Sequence, residues 1–212
     1  FVTDGSVEDH GGAEGVALYH ASVQRPTVWA LQLQAAAERL FLCLSEGMQM
    51  RKVAIVMGSK SDLPVAETAV GVLRDYGVQM EVRVLSAHRC PNEAREFAAS
   101  AREGGFSVIL AFAGMAAHLA GAMAANTTLP VIGVPCSGTK LDGMDALLST
   151  VQMPSGIPVA TVAVDGGKNA ALLAVQIMAV SDAELAQKLD EARTRERDAV
   201  LRADEEVRAL YQ

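Results

Sequence analysis

With 212 residues, half of them hydrophobic and only 4% aromatic, the chain has enough apolar surface for a sizeable core in one or two domains. A net charge of −7 without any basic stripe excludes a general nucleic-acid binder. No apolar run reaches the ~18–20 residues of a membrane span, and the start lacks the basic-then-apolar order of a secretory signal.

Residues 1–49 differ from the rest of the chain. They hold 2 basic and 6 acidic side chains, against 10 of each in residues 50–180 and 6 and 9 in residues 181–212. Gly, His, Asp and Glu are scattered through 1–25 without period, as in a loop or disordered segment, and Trp29 to Glu46 suits one helix. The segment reads as an extension of unassigned role, partly disordered or helical, with Met48 and Met50 as candidate internal starts.

From Lys52 onward, strand and helix patterns alternate. Candidate strands are 52–57, 79–85, 107–113, 130–134 and 158–164, several of them near-continuous apolar runs, as in strands covered on both faces. Helical stretches fall near 64–76, 91–104, 117–126, 142–152 and 166–180. This alternation predicts an α/β domain over 50–180, with a parallel sheet in a three-layer α/β/α sandwich. Residues 181–212 read as a long C-terminal helix whose stripe of Leu185, Leu189, Ala192, Ala199, Ala203, Val207 and Leu210 needs a cover. A neighbouring subunit is the favoured cover, its own domain the alternative.

The chemistry gathers where strands stop. After the first strand comes G-S-K-S-D: Gly58 permits a sharp turn, and Ser59 and Ser61 offer hydroxyl and amide donors. Asp62 is placed to cap the helix starting at Leu63 and Pro64, or else to hold ribose hydroxyls; spacing favours the cap. The Walker pattern is absent. After the second strand comes S-A-H-R, where Ser86 and the loop amides can cradle a phosphate and Arg89 can pair with it in a bidentate manner. His88, between hydroxyl and guanidinium, is the candidate proton carrier.

The third loop, A-G-M-A-A-H-L, has small residues that permit close backbone approach. His118 is either a second site group or a helix-starting polar residue. A fourth loop, 152–158, is rigid enough to form a pocket wall, while Lys140, Asp142, Lys168 and Asn169 read as capping or solvated residues. Cys43, Cys90 and Cys136 are odd in number and lack C-x-x-C spacing, which argues against zinc and a disulfide framework and for a reducing cytoplasm. Cys90 reads as a small loop residue rather than a nucleophile.

At these loops the sequence resembles the N5-carboxyaminoimidazole ribonucleotide mutase family of purine biosynthesis, over about Arg51 to Leu185. V-M-G-S-K-S-D, S-A-H-R-x-P, A-A-H-L, L-P-V-I-G-V-P, V-Q-M-P-x-G-I-P-V and K-N-A-A-L-L-A occur in the family's order. The resemblance implies a flavodoxin-like fold, a homo-octamer and a small ribonucleotide substrate, with no nucleic-acid or membrane partner. It implies that Ser59, Asp62, Ser86, Ala87 and Arg89 bind the ribonucleotide, with Ser61 a further binding candidate for its hydroxyl, and that His88 is catalytic. Gly114, Ala117, His118 and Leu119 would line the carboxyl-group pocket.

The implied reaction moves a carboxylate from an exocyclic nitrogen to ring carbon C4 and requires no metal, nucleotide cofactor or ATP. Met115, Ala120 and Cys90 stand where the family commonly has Gly, Pro and Thr. Two other readings compete: a direct CO2-dependent carboxylase of aminoimidazole ribonucleotide, which typically carries Lys after the histidine, and a non-catalytic nucleotide-binding module on the same scaffold.

Overall fold

The computed structural model describes residues 51–138 and 140–211; the expectations for residues 1–49 lie outside them. Five strands, β1 (Lys52–Met57), β2 (Gln79–Val84), β3 (Val108–Ala113), β4 (Val131–Pro135) and β5 (Ala160–Thr161), form one sheet in the order β2-β1-β3-β4-β5. Every pairing is parallel, with Ile55 opposite Val82 on one side and Leu110 on the other. This is the flavodoxin-like order, whose switch point lies between β1 and β3. The helices are α1 (Leu63–Asp75), α2 (Pro91–Ser100), α3 (Leu119–Ala124), α4 (Met144–Val151), α5 (Gly167–Ala179) and α6 (Ala183–Ala209).

The two-residue alternation of a strand sorts the apolar runs onto two faces. Val53, Ile55, Leu110, Phe112 and Ile132 pack with Ala66, Leu73, Ala170 and Ala174 beneath α1 and α5. Ala54, Val56, Ile109 and Ala111 pack with Ala94, Ala98, Ala120 and Met123 beneath α2 and α3. Both faces are therefore covered, giving the expected three layers. Alanine-rich helices lie close to the sheet and to one another: a β-carbon on Gly167 would overlap Thr68 and the Val65 carbonyl, so α1 and α5 meet there only because residue 167 is glycine.

Two expectations need correction. The strand expected over 158–164 pairs regularly only at Ala160–Thr161. Beyond it the chain keeps single bonds to the sheet, from Val162 N–H to the Gly133 carbonyl and from Asp165 N–H to the Pro135 carbonyl. The C-terminal stripe divides in two. Leu185 is fully buried, and Leu189 and Ala192 pack on the chain's own core, whereas Ala199, Ala203, Val207 and Leu210 are exposed. Asp182 fixes the start of α6, accepting from Leu185 N–H at 3.1 Å and from Arg51 at 2.6 and 3.0 Å. At ~1.5 Å per residue the helix runs about 40 Å, well past the part that is buried.

Candidate active site

The sheet's hydrogen bonding continues past the strand ends and fixes where the loops emerge. Leu85 N–H donates to Met57 O (2.9 Å), Gly58 N–H to Phe112 O (2.9 Å), Cys136 N–H to Ala113 O (2.8 Å) and Asp165 N–H to Pro135 O (2.9 Å). All five strands are thus tied to their neighbours at or just beyond their carboxyl ends, where open α/β sheets place ligands. Their loops enclose a cleft of about 1000 Å³. Ser59, Ser61, Asp62, Ser86, Ala87, His88, Arg89, Gly114, His118 and Leu119 all line it.

In the first loop, Ser59 and Asp62 close on each other. Ser59 N–H donates to Asp62 Oδ2 (3.0 Å), and Ser61 N–H donates to Ser59 Oγ (3.3 Å), a capping box around the turn Lys60–Asp62. Asp62 therefore does not cap α1, as spacing suggested; its side chain makes no bond to that helix and turns back toward the cleft. Asp62 as a whole is 8% exposed. Burial pushes its pKa up, and the Ser59 amide and Ser61 hydroxyl only partly oppose this. Its remaining lone pairs suit it to accept from a polyhydroxylated ligand.

The second loop is a tight turn closed by sulfur. Ser86 N–H donates to Cys90 Sγ (3.0 Å), and the Cys90 thiol donates to Ser86 O (3.2 Å). Arg89 N–H and Cys90 N–H also reach Ser86 O, at 3.2 and 2.9 Å. With both ends of the turn tied, His88 and Arg89 project exposed at its crest into the cleft. Cys90 is thus a structural loop residue, as expected from the sequence.

Ala117 differs from its expected place. It is 2% exposed and does not line the cleft; its carbonyl accepts from Thr150 Oγ1 (3.2 Å), so it anchors the third loop to α4. His118 begins α3 without capping it. Its ring lies over Gly121, where a β-carbon would meet His118 Cε1 at 2.7 Å and Nδ1 at 3.0 Å. Gly121 is therefore a supporting residue that sequence reading missed, and the i, i+3 spacing of His and Gly on a helix was the available signal.

The remaining wall is not the 152–158 loop, none of whose residues reaches the cleft. It comes from Cys136, Ser137, Gly138, Lys140, Leu141 and Asp145 after β4, and from Asp165 after β5. Asp165, at φ 55°, accepts from Ser137 N–H (2.9 Å) and so joins the two loops. The Cys136 thiol is pushed up to about 12 by burial, reinforced by the negative charges of Asp62 and Asp165, and stays protonated. Lys140, read from sequence as solvated, borders the site. A second groove, of about 410 Å³, lies mainly between α5 and α6 around Leu172, Leu173 and Leu189. It contains no histidine, and of the segments that leave the strand ends it includes only Val162. Among the described residues, no group of three His, Cys, Asp or Glu side chains is placed to hold a metal ion.

Residues 52–199 match the AIR carboxylase family. The chain belongs to that family. It is 50% identical over 159 residues to the N5-carboxyaminoimidazole ribonucleotide mutase of Methanocaldococcus jannaschii, covering 75% of this chain and 99% of that protein. It is 55% identical over 144 residues to the protein of the same name from Pyrococcus abyssi, covering 68% and 83%. Among solved structures, Treponema denticola PurE superposes with a TM-score of 0.66 at 27% identity, covering 73% of this chain and 97% of that one. The family match begins at the first strand, so residues 1–49 stand outside it.

Proposed function

We propose that this chain converts N5-carboxyaminoimidazole ribonucleotide to 4-carboxy-5-aminoimidazole ribonucleotide in purine (IMP) biosynthesis. The observation that carries the reading is a single cleft in which hydroxyls, amides, a guanidinium, a buried carboxyl and two imidazoles converge, in a chain half identical to mutases of that name. Ser59, Ser61, Ser86, the Ala87 backbone and Arg89 hold the ribonucleotide phosphate and sugar, and Asp62 accepts from ribose hydroxyls.

His88 moves the protons. As imidazolium it protonates the carbamate nitrogen; the N–C bond breaks, its electron pair stays on nitrogen, and CO2 leaves. The enamine-like C4 then attacks CO2. Neutral His88 takes the C4 proton, which restores aromaticity and returns the imidazolium, so the reaction is a net isomerisation. One group gives and then takes the proton, a task suited to imidazole. Gly114, His118 and Leu119 border the space in which CO2 waits, with Ala117 anchoring their loop from behind.

The exposed distal half of α6 and the two residues after it carry Val200, Leu201, Val207, Leu210 and Tyr211, apolar surface that a neighbouring copy would cover. That surface fits association with further copies; the homo-octamer is proposed from the family resemblance and checked by light scattering on the full chain, and a cytoplasmic location is proposed from the purine-pathway reading and checked by cell fractionation. The direct test of function is turnover. Given the carbamate without ATP or added bicarbonate, the protein is expected to form the 4-carboxy product. Product formed only from aminoimidazole ribonucleotide plus CO2 would assign the chain to the carboxylase reaction instead. Binding of the nucleotide with turnover of neither would leave a binding module.

A further inference from the structure

Among the described residues, three non-glycine positions hold a left-handed backbone: Met115 (φ 58°), Asp142 (φ 48°) and Asp165 (φ 55°). Aspartate tolerates that region better than most residues because its short polar chain can hydrogen-bond, and the Asp165 side chain is held by Ser137 N–H from the neighbouring loop. Methionine has no such compensation, so its conformation carries strain. Burial does not offset it, because Met115 is 68% exposed. The backbone around it is committed: Ala117 N–H donates to the Met115 carbonyl (2.8 Å), and a β-carbon on Gly114 would stand 3.3 Å from the Cys136 carbonyl. The side chain is the part free to move, and it stands in the wall of the cleft shared with His88 and His118. A strained apolar side chain left in solvent gives the fold nothing, which points to a role with ligand present.

We propose that Met115 is the residue that keeps CO2 in the cleft, its side chain folding over the reacting ring between loss of CO2 from nitrogen and its capture by C4. The proposal rests on the mutase reading, which creates that interval. An unbranched thioether chain can swing aside for the substrate and then exclude water above it. CO2 that escapes leaves aminoimidazole ribonucleotide behind, and CO2 that enters from solvent leaves its own carbon in the product. Retention can therefore be counted in carbon atoms.

The experiment supplies native, Met115→Gly and Met115→Leu proteins with unlabelled N5-carboxyaminoimidazole ribonucleotide in buffer containing 13C-bicarbonate, and reads label in the product carboxyl by mass spectrometry. After subtraction of spontaneous decarboxylation, Met115→Gly is expected to incorporate at least about threefold more label than native and to release more aminoimidazole ribonucleotide. Met115→Leu, which keeps apolar bulk, is expected to match native. The Tm of Met115→Gly is expected to rise by about 2–4 °C, since glycine adopts positive φ without strain, so unfolding is not the source of the leak. Equal labelling in Met115→Gly and native overturns the proposal, as does a leucine variant that leaks as freely as glycine. Native protein that forms no product from the carbamate overturns the mutase reading itself, and this proposal with it.

Discussion

In the middle of the sheet, Val53, Ile55, Leu110 and Phe112 are fully buried in regular parallel strands. At the carboxyl-end rim, in the loops that follow the five strands, the chain carries Met115, Asp142 and Asp165 in left-handed backbone, a buried carboxyl at Asp62 and exposed imidazoles at His88 and His118. Each fully buried aliphatic or aromatic side chain of the interior stabilises by ~1.5–3 kcal/mol, whereas a strained position costs ~1–3 kcal/mol. The interior thus supplies the stability that lets the rim keep conformations and charges unfavourable for folding but suited to binding. Changes in the middle should lower Tm and spare turnover per folded molecule; changes at the rim should alter turnover without lowering Tm.

The largest expected effect is at the rim. His88→Ala should lower turnover by ~10²–10⁴-fold, with Tm and nucleotide affinity close to native by calorimetry; an equal loss of binding would make His88 a ligand-holding group only. Next is the interior: Phe112→Ala should lose about 3–5 kcal/mol of stability in denaturant unfolding while the surviving folded fraction keeps native turnover. A smaller rim effect is expected for Gly121→Ala, whose new methyl group displaces the His118 ring. A misplacement of ~1 Å can reduce turnover by up to ~10²-fold, and an unchanged rate would free His118 from any role in the chemistry.

The smallest effect lies away from both regions. Arg51 and Lys188 hold the Glu184 carboxyl down at about 2. A carboxyl depressed in the folded state stabilises above its unfolded pKa, and that contribution is lost as pH falls from about 4.5 through about 2. Native protein should therefore melt slightly above Glu184→Gln at pH 6, with the gap closing by pH 2. A constant gap would assign the difference to packing at the start of α6.

Much of this contrast is legible in the sequence. The apolar runs of β1 and β3 stop abruptly at Gly58 and Gly114, and Ser86, His88 and Arg89 follow β2, so the first three loops announce themselves. Asp62 was harder: beside Leu63 and Pro64 it has the spacing of a helix cap, and only the folded turn shows its carboxyl closing on Ser59 instead. Ser137, Gly138, Leu141, Asp145 and Asp165 were missed because each looks like an ordinary turn residue. They reach the cleft only through the β3-β4-β5 order, a long-range fact with no local pattern. Residues 158–164 have the composition of a strand, but only Ala160–Thr161 pair regularly with β4; β2, at the opposite edge, pairs over six residues, so edge position alone does not shorten β5. Ala117 shares its neighbours' composition but packs against Thr150, which residue spacing in a loop cannot foretell.

The most direct test of the central claim is a crystal structure with 4-carboxy-5-aminoimidazole ribonucleotide bound. The account predicts the phosphate and ribose among Ser59, Asp62, Ser86 and Arg89, with a His88 ring nitrogen within hydrogen-bonding reach, ~3 Å, of the exocyclic nitrogen or C4. A nucleotide seated in the groove between α5 and α6, or one bound at the rim with its imidazole ring turned away from His88, would contradict it.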